Sequence, residues 1–183
     1  MCKQCELKPV YEFTNKRKLC KRCFIRYFQK KVLYIIRKFG MISNSNMVGY
    51  KFKGDFRSVV LENILEMFSK KALIELVKLP SKKKVDKIAI PSTIDLQADK
   101  FIHEIINKKL QKLNDIKPVN GKVIKPLYLF LDKEVLLYAK LKNLKFKKKM
   151  EKKDKINSFI DELEKKHPEV KRAVVNSYLK LYD

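Results

Sequence analysis

Four cysteines open the chain in two pairs. Cys2 and Cys5 are separated by two residues, as are Cys20 and Cys23, and residues 6–19 lie between the pairs. Each pair turns two thiolates toward one centre, so the spacing is that of a four-cysteine zinc ribbon with a hairpin between the knuckles. No fifth cysteine exists to compete. Two matched pairs argue against a redox dithiol, and the cofactor expected is one structural Zn2+. Its coordination sphere would be full, which leaves no open position for catalysis.

The rest of the 183 residues can support one ordinary domain beside this small module. No run of about 18 apolar residues would span a membrane. The chain begins with cysteine and lysine where a secretory leader needs an apolar stretch, so a cytoplasmic protein is expected. The net charge is +24, from 44 basic and 20 acidic side chains. Such an excess favours a polyanionic partner through counterion release. Only six of the basic residues are arginine (Arg17, Arg22, Arg26, Arg37, Arg57 and Arg172). Base readout and bidentate phosphate forks prefer arginine, so contact with nucleic-acid backbone is expected more than sequence reading.

Phe24, Phe28, Val32, Ile35, Ile36 and Phe39 recur at helical spacing, with Arg26, Lys30 and Arg37 on the other side. This predicts an amphipathic basic helix from Phe24 to Phe39, ended by Gly40. Residues 41–46 read as a linker. Beyond it, strands are expected at Met47–Phe52, Ala72–Leu79 and Lys87–Ile90. Helices are expected at Arg57–Ser69, from Thr93 as cap to about Leu113, at Asp132–Lys142, at Ser158–Lys166 and at Glu169–Leu181. Residues 114–123 read as a loop. Strands alternating with helices predict an α/β fold with a reduced, doubly wound parallel sheet. The expected divisions are a zinc ribbon (1–23), the basic helix and linker (24–46), an α/β domain (47–144), and a lysine-rich loop with C-terminal helices (145–183). Lys145 to Lys155 lacks apolar periodicity and is expected to be exposed, mobile or facing RNA.

Enzyme chemistry finds little material. The two histidines, His103 and His167, are far apart in sequence, and both read as structural or solvated. The chain has four glycines, and neither GxGxxG nor a Walker A loop.

The order of motifs resembles the PP-loop family of tRNA 2-thiolases. The two Cys-x-x-Cys pairs, Cys20-Lys-Arg-Cys23-Phe24 and Arg37-Lys38-Phe39-Gly40-Met41 are similar to its N-terminal part. Lys87-Ile88-Ala89 followed by Thr93-Ile94-Asp95-Leu96-Gln97-Ala98 resembles the strand and helix that carry Gly-His-Asn-x-Asp-Asp-x-Ala. Ile124-Lys125-Pro126-Leu127, Lys133-Glu134-Val135 and Tyr138-Ala139 are similar to a Pro-Leu…Glu-Val…Tyr-Ala segment, and Leu163 to Pro168 to the C-terminal helix pair. The resemblance implies a PP-loop ATPase-like sheet and a partnership with tRNA.

The departures from the pattern are specific. Active members carry Ser-Gly-Gly-Lys-Asp-Ser to hold ATP pyrophosphate. The matching stretch here is Lys53-Gly54-Asp55-Phe56-Arg57-Ser58, a degenerate loop in which Gly54, Asp55, Arg57 and Ser58 are the residues at issue and Phe56 adds bulk. Pro91-Ser92 replaces Gly-His. The family's catalytic cysteines have no counterpart, and Lys147-Lys148-Lys149-Met150 stands where it places a second zinc site. The stretch between Phe68 and Val85 is short. The pattern resembles the inactive subunit of the eukaryotic cytoplasmic tRNA 2-thiolation complex. It implies a pseudoenzyme that holds a catalytic PP-loop thiolase and binds tRNA through Arg22, Arg26, Lys30, Lys31, Arg37 and Lys38, with Lys147, Lys148 and Lys149 adding to the surface. The alternatives are a free-standing zinc-ribbon RNA- or DNA-binding protein associated with the ribosome or transcription, and an active ATP-dependent enzyme. Self-association is left open.

Overall fold

The computed structural model describes residues 1–147 and 155–181. A short antiparallel hairpin, β1 (Tyr11–Glu12) and β2 (Lys18–Leu19), lies within the cysteine module. Helix α1 (Lys21–Lys38) follows directly. Its apolar stripe, Phe24, Phe28, Val32, Ile35 and Ile36, is buried, each side chain worth about 1.5–3 kcal/mol when withdrawn from water. The Phe28 ring lies 4.1 Å from Phe130 and stacks 4.2 Å from Tyr138. The Tyr138 hydroxyl accepts from Gln29 of α1 at 3.2 Å and donates to Asn63 at 3.2 Å.

The main sheet comprises β3 (Met47–Lys51), β4 (Glu75–Leu79), β5 (Lys87–Ala89), β6 (Val119–Asn120) and β7 (Val123–Ile124) in the order β4-β3-β5-β7-β6. All pairs are parallel except β6 with β7. The β6–β7 hairpin falls in the stretch read from sequence as loop. Each of its strands has only two residues, too few to show alternation around the Gly121 turn. At the centre of β3, Gly49 is closely overlaid: a Cβ there would meet Leu79 Cδ1 at 3.0 Å and Val85 Cγ1 at 3.2 Å, so those side chains would have to shift by a few tenths of an ångström.

Helix α2 (Phe56–Ser69) leads from β3 toward β4, and α3 (Ile94–Ile106) leads from β5 toward β7. The winding therefore reverses between β3 and β5, which places a crevice at their carboxyl ends. The expected continuation of α3 to Leu113 does not form. Lys108 adopts φ +54°, and a 3-10 helix spans Leu110–Ile116 instead. Helices α4 (Asp132–Leu141), α5 (Lys155–Lys166) and α6 (Val170–Lys180) complete the chain. Helix α4 packs between α1 and α2, while α3, α5 and α6 pack together.

Residues 41–46 are tied down. Met41 is fully buried, and the Ser45 amide donates to the Leu73 carbonyl at 2.7 Å. One apolar core runs from Cys2, Leu19 and Cys20 through α1 to Val48, Ala89 and Ile124 of the sheet. Among the described residues no helix is long and apolar enough to cross a membrane.

Candidate metal centre and crevice

The first knuckle closes through Cys2 N to Leu7 O and Glu6 N to Cys2 O, both 3.0 Å, with Glu6 at φ +59°. The second knuckle is the start of α1: Cys20 is its N-cap and Cys23 lies in its first turn. The Sγ atoms of Cys2, Cys5, Cys20 and Cys23 all lie within 4.8 Å of one another. Cys5 Sγ is 3.3 Å from Cys20, 3.5 Å from Cys23 and 3.7 Å from Cys2. A tetrahedral ion with Zn–S near 2.3 Å would separate its thiolates by about 3.8 Å. The cluster fits a single metal ion held by four thiolates. Tyr11, Phe13, Phe24 and Tyr27 pack against one another beside it, with ring centroids 4.8–6.3 Å apart.

Along α1, Arg22, Arg26, Lys30, Arg37 and Lys38 are exposed. Lys31 turns inward. Its ammonium lies 4.4 Å from the Phe130 ring centroid and 3.9 Å from the fully buried Glu134. Burial lowers its pKa to about 8, against the pull of Glu134. Glu134 Oε2 also accepts from the Leu131 amide at 2.8 Å and from Arg172 at 3.1 Å.

At the crevice, the Gly54 turn has φ +74°, and Asp55 caps α2 by accepting the Ser58 amide at 2.9 Å. The protein's own carboxylate thus takes an amide that an anion would otherwise use at this helix start. Phe56 meets Phe146 edge-on at 6.2 Å. The Lys147 amide donates to the Gly54 carbonyl at 2.7 Å, so the chain after α4 is laid against the turn. Lys148 and Lys149 lie outside the described residues.

Arg57 lies with its guanidinium carbon 4.8 Å from the Phe56 ring centroid and is tied to α4. It is 6% exposed, and its Nε donates to Asp132 Oδ1 at 2.7 Å while Nη2 contacts Asp132 Oδ2. Thr93, just after β5, donates to the same Oδ1 at 2.7 Å rather than capping α3 with its side chain. The Asp132 amide in turn donates to Asp95 at 2.7 Å. The two loops that flank the crevice are therefore bridged through α4.

Two buried lysines escaped the reading of the sequence. Lys171 Nζ sits 3.1 Å from Asp95, 2.9 Å from Asp161 and 2.9 Å from Glu164. Burial alone would lower its pKa, but these three carboxylates raise it instead. Lys125, 2% exposed, donates to Gln97 Oε1 at 3.0 Å and to the Asp115 carbonyl. Burial, with Lys100 nearby, lowers its pKa to about 7, partly offset by Asp115. A lone lysine in a basic sequence gives no sign of such burial. His103 bonds Asn157 at 3.0 Å, a structural role.

No protein-family model matches the sequence, and no curated protein does. Among solved structures, the U34-tRNA thiolase NcsA from Methanococcus maripaludis with its 4Fe–4S cluster matches at TM-score 0.79 and 20% identity. The match covers 98% of this chain and 86% of that one. The chain has the thiolase fold. Relative to NcsA the likeness runs from the cysteine module to the last helix, so the crevice between β3 and β5 lies within the shared architecture.

Proposed function

We propose that the chain is a non-catalytic, cytoplasmic subunit of a tRNA wobble-uridine 2-thiolation complex, which binds tRNA backbone and a catalytic PP-loop thiolase. The observation that carries this reading is the self-filled turn at the crevice. Asp55 takes the Ser58 amide, Phe56 packs on Phe146, Lys147 leans on Gly54, and Arg57 is drawn off to Asp132. ATP pyrophosphate would have to displace a carboxylate and two rings there. The fold shared with a tRNA thiolase supports the tRNA partner, as does the net charge of +24.

All four cysteines are engaged at the N-terminal module, so none remains near the crevice to carry sulfur. The metal proposed at the module is Zn2+. A 4Fe–4S cube binds its four thiolates on separate irons and spreads them apart, whereas three of these Sγ pairs stand 3.3–3.7 Å apart. Zinc would fix the start of α1 and so aim Arg22, Arg26 and Lys30 outward. Capture of the zinc-loaded chain from native extract at moderate salt tests the reading. Co-recovery of a PP-loop thiolase and tRNA is expected, and recovery of neither would sink it.

A further inference from the structure

The outward side of α1 carries a row at four-residue spacing: Arg22, Arg26, Lys30 and Tyr34. Such residues stack along one helix face with Cβ atoms about 5–6 Å apart. Three members are cations. The fourth is an aromatic ring, 58% exposed, with no ring, cation or hydrogen-bond partner among the described residues. The row forms one side of a concavity of about 860 Å³ whose opposite side is the first cysteine knuckle, with Tyr27 and Lys31 also lining it. Other aromatic rings of the module, Tyr11, Phe13, Phe24 and Tyr27, are spent on each other. Tyr34 is not.

A backbone-only contact needs cations and has no use for a free ring. Cations in line with an aromatic face, beside an open concavity large enough to admit a nucleotide, are what an unpaired base and its flanking phosphates require. A duplex keeps its bases stacked inside and could offer Tyr34 nothing but sugar and phosphate.

We propose that Tyr34 is a stacking platform for one unpaired base of a bound RNA, with the adjoining phosphates running along Lys30, Arg26 and Arg22. The proposal rests on the RNA-binding part of the function above and adds that the bound RNA presents a single-stranded nucleotide to the module.

The test is fluorescence anisotropy of the full zinc-loaded chain with two probes, a short single-stranded oligoadenylate and a blunt RNA duplex of similar length. Tyr34→Ala is expected to weaken the single strand about tenfold, the size of one stacked base, and to leave the duplex within about twofold. Tyr34→Phe keeps the ring and is expected to bind as wild type. Equal loss on both probes, or no loss on either while Arg26→Ala with Lys30→Ala weakens both, would overturn stacking and leave RNA binding standing. Failure of the wild-type chain to bind either probe would overturn both readings. Tyr34 is exposed, so circular dichroism of Tyr34→Ala is expected to match wild type.

Discussion

Arg57 and Asp132, 75 residues apart in sequence, form an ion pair, its arginine buried and its aspartate partly so, with Nε to Oδ1 at 2.7 Å that joins the start of α2 to the start of α4. Thr93 shares the same carboxylate oxygen, so one aspartate holds together both loops of the crevice. The arginine thereby serves the architecture, joining α2 to α4. Removing one partner of a buried pair strands the other charge, whereas replacing both with apolar groups is close to neutral. Asp132→Ala is expected to cost about 2–3 kcal/mol in urea unfolding, below the range for a fully buried pair because the aspartate is partly exposed, and Arg57→Met with Asp132→Leu to recover most of that. A double-mutant cycle with no coupling would contradict the bridge.

Metal content gives a second prediction. One zinc per chain is expected by atomic absorption, and Co2+ exchanged into the site should show the absorption of tetrahedral thiolate coordination. Cys20→Ser removes a ligand that is also the α1 N-cap and lies 3% exposed in the main core. Because metal binding is coupled to folding, zinc loss in this variant should lower the melting temperature of the whole chain. A melt that leaves the rest untouched would show the module to be independent of the core it shares.

The sequence reading succeeded where a pattern was local. The cysteine spacing, the α1 stripe, β3 and β5 are each written within a few residues. It failed where tertiary context decides. Asp132, Asp95 and Lys171 look like ordinary surface charges, and only the fold brings them together across 37 to 76 residues. Ala72 to Ile74, apolar enough to join a strand, instead form the approach to β4, which starts at Glu75. Lys31 looks like its neighbour Lys30, yet one helical position turns it from solvent toward Glu134.

Lys125 predicts a pH dependence. Its folded pKa, lowered to about 7 chiefly by burial, lies below the ordinary lysine value near 10.4. Between those values the unfolded chain binds the extra proton, so its contribution makes stability rise with pH from about 7 to about 10. Lys31 acts in the same sense over a narrower window, from about 8. The difference in unfolding free energy between wild type and Lys125→Met should therefore climb through this range. A flat difference would place the Lys125 ammonium in contact with water.

Salt dependence separates the outward cations from the inward one. Arg26→Ala or Lys30→Ala should each reduce the slope of log K against log salt for RNA by about 0.7–0.9. Lys31→Met should change the slope less than either, because its side chain is only 17% exposed and its ammonium faces Glu134, although it borders the same concavity.

Calorimetric titration of the zinc-loaded chain with Mg2+–ATP measures most directly whether the crevice is closed. The Asp55 cap, the Phe56–Phe146 contact and the Arg57–Asp132 bridge predict no saturable heat up to millimolar nucleotide. Saturable binding at micromolar ATP would contradict the account.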